Sequence, residues 1–238
     1  MIRTYYKDSK LILKSRIEQK YLNISNKLIP SLSNQRKYNL TISERYKFVW
    51  YRVAKVGTRS ILARFNKLNI PFSAYHSIHC YLPYKKYENY FKFGFARDPL
   101  NRFTSAWKDK ILNFSNKKNY FDLDSKEIDK MRDINYFIDS FFSDNNYFQK
   151  DIHFRHQSHL IDLNNIDFIG RLENINNDYN YILKKLNIKN IKKRIDHKNK
   201  TTEFHTESIK LINKVNKEKL ISYYQKDFSI FGYGKNIF

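Results

Sequence analysis

The chain has little cysteine, glycine or proline, with one, five and four residues of each among its 238. Its single cysteine, Cys80, excludes a disulfide within the chain and a cysteine-based zinc site. With so few glycines and prolines, we expect no long flexible linker. No apolar run reaches the ~18 residues that a membrane span needs, and residues 1–20 lack the apolar stretch of a signal peptide. These absences predict a cytoplasmic protein.

Positive charge is in clear excess, with 45 Lys and Arg against 23 Asp and Glu and a net charge of +22. Such a field favours anionic partners, namely nucleotides, nucleic acid, anionic glycans or a membrane surface. The chain is also rich in Lys, Asn, Ile, Tyr and Phe, which AT-rich codons favour, so charge alone does not identify a function. Aromatic residues make up 17% of the chain, which predicts a folded core rather than disorder.

Short apolar runs rich in β-forming residues predict three strands, at residues 47–53, 91–96 and 166–170. Helical spacing of apolar residues predicts a helix after each strand, and Pro99 suits the first turn of the second helix. Alternating strands and helices predict an α/β fold, a P-loop-like parallel β-sheet flanked by helices. Further helices are predicted near the N-terminus and at residues 134–142 and 208–224. We divide the chain into an N-terminal helical and loop extension, residues 1–45, and a single domain, residues 46–238.

The first candidate site is the segment KVGTRS, which lies between a predicted strand and a predicted helix. A strand–loop–helix unit points backbone N–H groups and a helix N-terminus at one place, which favours an anion. Lys55 adds a charge, Gly57 allows close approach of a phosphate, and the Thr58 and Ser60 hydroxyls can donate. The Walker order GxxxxGK[ST] is absent, and an ordinary helix start explains the pattern equally well. The candidate anion-binding residues are Lys55, Val56, Gly57, Thr58, Arg59 and Ser60.

The second candidate site is the segment RDPLNRFTSAW at residues 97–107. Arg97 ends a predicted strand, and its planar guanidinium can grip a phosphate through two hydrogen bonds. Ser105 lies eight residues later on the helix that Pro99 opens, where its hydroxyl can donate to the same anion. The alternative is a structural pair of Arg97 and Asp98 at a helix N-terminus.

Together the two segments resemble those of sulfotransferases that use 3′-phosphoadenosine-5′-phosphosulfate (PAPS), specifically the membrane-type carbohydrate branch with the chondroitin/dermatan and heparan 2-O enzymes. Ala54 stands where that family often has proline. Three later segments continue the resemblance, and Asp178 follows the second of them at the expected place. These segments are HFRHQ at 153–157, DFIGRLE at 167–173 and YQKDFSIFGY at 224–233.

The resemblance implies transfer of a sulfuryl group from PAPS to a hydroxyl of a carbohydrate or glycolipid acceptor, with no metal. Lys55 would stabilise the charge on the leaving phosphate oxygen, and residues 57–60 would hold the 5′-phosphate. Arg97 and Ser105 would bind the 3′-phosphate. Residues 113–133 and 187–205 are expected to shape the acceptor pocket.

The acceptor hydroxyl needs a general base, and histidine suits because its pKa lies near neutrality. The segment YHSIH at residues 75–79 resembles the Y-H-x-H segment of the heparan 2-O branch, whose second histidine is the base. One extra residue in this copy leaves His76 and His79 both open. We rank His79 first, His76 second and His153 third, and a carboxylate base remains an alternative.

Two other functions fit parts of the sequence. Excess positive charge with abundant Tyr and Phe would suit a basic nucleic-acid-binding protein, but no nucleic-acid-binding motif is present, so no specific nucleic acid is expected. A nucleotide kinase-like phosphate-loop enzyme would suit residues 55–60 apart from the missing Walker order. An anionic membrane surface is a further candidate for peripheral contact. The sequence leaves the acceptor and the oligomeric state open.

Overall fold

The computed structural model of the protein describes residues 9–28, 36–75, 81–83, 85–113, 121, 123–143, 147–189 and 208–234. The base candidates His76 and His79 and much of the two expected acceptor segments lie outside these residues. The chain forms two compact units. The first comprises Met1–Ala96 and Gln157–Lys198, and the second comprises Arg97–His156 and Asn199–Phe238. The division at residue 45 predicted from the sequence stays a prediction.

The first unit is built on a five-stranded sheet in the order β3-β1-β2-β4-β5. The pairs β2–β4 and β4–β5 are parallel, whereas β1 is antiparallel to both β2 and β3. The predicted α/β class is confirmed, and the three predicted strands are β2, β4 and β5. The two other strands, β1 and β3, were not anticipated. The strands are β1 (Leu40–Ser43), β2 (Phe48–Tyr51), β3 (Ala74–Tyr75), β4 (Phe91–Ala96) and β5 (Phe168–Arg171).

Aromatic side chains join the sheet of the first unit to two helices, α2 (Thr58–Lys67) and α7 (Ile175–Lys185). Phe65 of α2 stacks on Phe48 with ring centroids 5.5 Å apart and contacts Tyr179 of α7 at 5.2 Å. Successive residues of a strand point to opposite faces, so this face also carries Trp50, whose ring stacks on Phe93. A further helix, α1 (Ser9–Leu28), lies near the N-terminus, as predicted.

The second unit is helical in its described residues and packs around an aromatic core. Phe154 lies near its centre, with ring centroids 5.3 Å from Phe103 and 5.4 Å from Phe137. The predicted helix at residues 208–224 ends at the predicted place, but it is interrupted at residues 211–213, and its long part begins at Lys214. A second helix begins at Gln225. The helices are α3 (Pro99–Trp107), which continues as a π-helical turn (Lys108–Leu112), α4 (Ser125–Met131), α5 (Ile134–Phe141), α6 (Tyr147–Lys150), α8 (Lys214–Tyr223) and α9 (Gln225–Ile230).

Within the part of the chain that the structure describes, no helix has the length and apolar character to cross a membrane. The same residues contain no cluster of three or more His, Cys, Asp and Glu side chains able to hold a metal ion.

Candidate functional site

In the first unit, the segment between β2 and α2 is a tight loop. Its backbone enters the left-handed region at Lys55, with φ of 71°, and again at Gly57, with φ of 78°. Val56 between them is fully buried and anchors the loop. The Thr58 hydroxyl donates to the Val53 carbonyl across 2.7 Å, which closes the loop at its base. The structure therefore has the strand–loop–helix arrangement that the sequence predicted.

The N-terminus of α2 has the properties of an anion site. Gly57 is the N-cap residue, and its carbonyl accepts from the N–H groups of Ser60 at 2.9 Å and Ile61 at 3.1 Å. Thr58 is the first helical residue, so helix geometry gives its N–H no carbonyl one turn earlier. Such N–H groups and the helix dipole favour a negative charge. Since the Thr58 hydroxyl donates to Val53, its backbone N–H is the group it can offer to an anion.

Gly57 has a second role that the sequence did not reveal. A Cβ at this position would lie 2.6 Å from Cδ1 of Leu172 and 3.3 Å from Cδ1 of Ile175. The glycine is therefore required by its φ and by close packing against the segment that follows β5. This packing links the first candidate site to the DFIGRLE segment of the family resemblance.

The polar residues of that segment support the backbone of β5. Asp167 Oδ2 accepts from the Lys92 N–H at 2.6 Å, and the Asp167 N–H donates to the Lys92 carbonyl at 2.8 Å. At the other end of β5, Asp178 Oδ2 accepts from the Arg171 N–H at 2.6 Å. Both carboxylates bind backbone atoms of the sheet. Glu173, the carboxylate next to Leu172, is exposed.

In the second unit, the second candidate site lies at the start of α3. Arg97 directly follows β4 in the chain and is buried, with 8% of its surface exposed. Asp98 is the N-cap of α3, where Oδ1 accepts from the Asn101 N–H at 2.8 Å, and Pro99 is the first helical residue, as predicted. Ser105 is half-buried on the same side of the helix as Asn101, one turn earlier. Arg97 therefore lies between β4 and α3, and Ser105 lies in α3, as the sequence predicted. Their role in binding an anion stays a prediction.

Arg102 is a positioning residue that the sequence analysis left without a role. It is 1% exposed, and its guanidinium donates to the Arg155 carbonyl at 2.8 Å and the Ile152 carbonyl at 2.9 Å. Burial lowers the pKa of Arg102, and the Tyr224 phenol is foremost among the groups that oppose this shift. An arginine stays charged in such surroundings.

The loop held by Arg102 carries His153, one of the three base candidates. Its Nδ1 lies 2.7 Å from Asp151 Oδ1, and its backbone N–H donates to the same oxygen at 2.8 Å. A carboxylate at Nδ1 favours a proton on that nitrogen, which makes Nε2 the basic nitrogen. This pairing gives His153 the fixed ring and tautomer that a general base needs.

Two of the later family segments meet in the second unit. The Tyr224 hydroxyl donates to the Phe154 carbonyl, and His156 Nδ1 lies 3.9 Å from Oδ1 of the fully buried Asp227. Burial lowers the pKa of His156, while Asp227 acts in the opposite direction. The C-terminal segment is therefore a support for the loop at residues 153–157.

The sequence was compared with known proteins. A family model described as "Sulfotransferase family" matches residues 38–234 of the 238. The chain belongs to the sulfotransferase family. Membership makes it a transferase of sulfuryl groups, and the match spans both candidate sites and all three later segments. Neither the curated proteins nor the solved structures include a significant match.

Proposed function

We propose that this sulfotransferase moves the sulfuryl group of PAPS to a hydroxyl of a carbohydrate, as in the membrane-type carbohydrate branch. The bond between sulfur and the 5′-phosphate oxygen breaks, and a bond from sulfur to the acceptor oxygen forms. The acceptor proton passes to a general base, and adenosine 3′,5′-bisphosphate leaves. Such a transfer depends on positioning and on neutralising charge.

The observation that carries the proposal is the loop before α2. A non-glycine residue in the left-handed region is destabilised by about 1–3 kcal/mol, and such residues cluster at functional sites. Lys55 is in this conformation at φ 71°, next to a helix N-terminus with an anion-binding geometry. We assign Lys55 to the leaving phosphate oxygen and the backbone at residues 56–60 to the 5′-phosphate.

In the second unit, Arg97 and Ser105 are proposed to bind the 3′-phosphate. The fork of an arginine matches two phosphate oxygens, and burial strengthens each of those bonds. This contact would distinguish PAPS from nucleotides that lack a 3′-phosphate.

For the base we retain His79, His76 and His153. His153 is the one within the described residues, and its bond to Asp151 supports it. Replacing the true base with alanine should reduce turnover by roughly 10²–10⁴ and leave nucleotide affinity nearly unchanged. The variants are His79→Ala, His76→Ala and His153→Ala, each assayed for turnover and nucleotide affinity. Near-wild-type turnover in all three would show that none of these histidines is the base, and a carboxylate such as Glu173 would be tested next.

Nucleotide selectivity tests the assignment of the donor. Adenosine 3′,5′-bisphosphate should raise the melting temperature, because a ligand that binds only the folded state stabilises it. Adenosine 5′-monophosphate should do so much less, and Arg97→Met should remove the difference. Equal shifts with both nucleotides in the wild type would overturn the assignment of Arg97 to the 3′-phosphate.

A single substitution separates the roles of Lys55 in folding and in catalysis. Asparagine tolerates the left-handed region better than lysine, so Lys55→Asn should keep or raise the melting temperature. Turnover should nevertheless fall by about 10²–10³, the usual effect of losing one electrostatic donor. Lys47→Asn is the matched control, since Lys47 also has a positive φ, of 48°, in the turn between β1 and β2. Turnover of Lys55→Asn within twofold of wild type would place Lys55 away from the reacting atoms.

A further inference from the structure

Helix α1 turns an apolar stripe towards solvent. Two of its three buried residues are polar, Ser15 and Gln19, and Ser15 Oγ accepts from the Tyr75 N–H at 2.8 Å. Half of the ten large hydrophobic side chains exposed in the described residues lie on this one helix, three or four positions apart. Such spacing forms a single stripe. These residues are Leu13 (61% exposed), Ile17 (63%), Tyr21 (69%), Ile24 (60%) and Leu28 (77%).

Both borders of this stripe are positively charged. At 3.6 residues per turn, Lys14 lies on one border, and Arg16, Lys20 and Lys27 lie on the other. All four side chains are exposed. The helix has one acidic residue, Glu18, one turn after Lys14; burial raises the pKa of Glu18, and the charges of Lys86 and Lys14 oppose that shift. The apolar stripe of α1 therefore has three exposed cations along one border and Lys14 on the other, with the exposed Lys10 at its N-terminal end.

A cavity beside the stripe adds more positive charge. It has a volume of about 210 Å³, and Tyr21 of α1 forms part of its wall. Lys85 and Lys86 line it from the segment across from α1. Both lysines are exposed, and Lys86 also forms an ion pair with Glu44 at 3.7 Å. The two lysines therefore add positive charge close to the stripe.

We propose that α1 docks in the plane of an anionic lipid membrane, with its apolar stripe in the boundary between headgroups and acyl chains. A helix with an apolar face and basic flanks binds anionic bilayers by buried apolar area and by charge attraction. A second copy of this chain is a poorer occupant, because antiparallel pairing of two stripes would set positive borders against each other. The net charge of +22 also attracts the whole chain to an anionic membrane.

Vesicle flotation of the full chain tests the docking. The protein should float with vesicles of phosphatidylcholine containing phosphatidylserine and remain at the bottom with phosphatidylcholine alone. Raising the salt concentration should weaken the binding, since lipid charges act over a Debye length of about 10 Å at 0.1 M salt. Equal binding to both vesicle types, or to neither, contradicts the proposal.

Matched pairs of variants test the stripe and its borders. Ile17→Ser with Ile24→Ser should weaken vesicle binding at least about tenfold, because two aliphatic side chains no longer leave water. The control is Leu211→Ser with Val215→Ser, which removes two aliphatic side chains of similar exposure, 63% and 61%, from the second unit. This control pair should bind as the wild type does.

Lys20→Gln with Lys27→Gln should weaken binding by about fivefold for each lysine. The control is Lys184→Gln with Lys185→Gln, which removes the same charge from α7. An equal loss in this control would mean that net charge, not α1, attracts the membrane.

Sedimentation of the same variants identifies a competing occupant. If the wild type forms a concentration-dependent dimer that Ile17→Ser with Ile24→Ser abolishes, the stripe is the seam between two copies and the membrane proposal is wrong. If the double isoleucine variant and the Leu211→Ser with Val215→Ser control are both monomers with the wild-type melting temperature, a difference in flotation reports membrane binding alone. None of these measurements depends on sulfuryl transfer, so the result stands apart from the proposed reaction.

Discussion

Replacing Gly57 with alanine should destabilise the first unit even without nucleotide. An alanine in the left-handed region is disfavoured by about 1–2 kcal/mol, and Gly57 has φ of 78°. The added Cβ would also lie 2.6 Å from Leu172 Cδ1. This methyl group ends a flexible side chain, so a rotation of about 0.5–1.5 kcal/mol can relieve the clash. At the middle of each range the two effects sum to about 2.5 kcal/mol. Alanine recovers about 0.7 kcal/mol by restricting the unfolded chain, which leaves a net loss of about 2 kcal/mol.

Thermal unfolding measures this effect. For a chain of 238 residues, each kcal/mol shifts the melting temperature by about 2–4 °C, so a decrease of about 4–8 °C is expected. Leu172→Ala and the double variant complete a thermodynamic cycle. The double variant should recover the part due to the clash and retain the part due to φ. An unchanged melting temperature with a loss of nucleotide affinity alone would show that the glycine serves ligand approach and not packing.

Three further predictions concern groups that the fold buries. In denaturant unfolding, Arg102→Met should destabilise the protein by about 3–6 kcal/mol, because two charge-assisted hydrogen bonds of about 1.5–3 kcal/mol each are lost. The control Arg132→Met removes an exposed ion pair and should destabilise it by less than about 1 kcal/mol. Gly170→Ala should lose about 1–3 kcal/mol in the same assay, because its Cβ would lie 2.6 Å from the Phe95 ring. Burial lowers the pKa of His156, so the unfolded chain binds more protons than the folded chain below about pH 6.5. As the pH falls through this range, the free energy of unfolding should decrease by at most about 1.4 kcal/mol per pH unit, and it should decrease less in His156→Gln.

Each of these has a clear contrary result. Equal losses in the two arginine variants would mean that the bonds to the Ile152 and Arg155 carbonyls contribute little. A Gly170→Ala protein as stable as the wild type would show that the Phe95 ring moves aside easily. Identical stability profiles from pH 7 to pH 5 for the wild type and His156→Gln would show that His156 binds its proton equally well in the folded and unfolded chains.

Local sequence determined the elements next to the candidate sites. The predicted strand at residues 91–96 is β4 residue for residue, because three phenylalanines at alternate positions lie between a turn and Arg97-Asp98-Pro99. Asp98 and Pro99 determine the start of α3, since one caps the N–H of Asn101 and the other needs no hydrogen bond at that position. The segment with Lys55 and Gly57 was likewise predicted as a loop from the local sequence, because it lies between the patterns of a strand and a helix.

Tertiary structure decided the two strands that the sequence did not reveal. β1 has four residues and β3 has two, which is too short for a period to stand out. Thr41 and Ser43 are polar, yet both are fully buried in β1. The burial of Ser43 depends on a distant contact, since its hydroxyl donates to the Pro71 carbonyl at 2.6 Å, 28 residues away.

The roles of several family residues also came only from the fold. Arg102 is buried because the carbonyls it binds belong to residues 50 and 53 positions later. Gly57 must be glycine partly because Leu172 packs over it. The C-terminal helix breaks at Tyr224, where the phenol reaches Phe154 across 70 residues of chain. Residues close together in the sequence determine backbone conformation, helix caps and hydrophobic periodicity. The hydrogen-bond partners of a buried polar group depend instead on which atoms the folded chain brings near it.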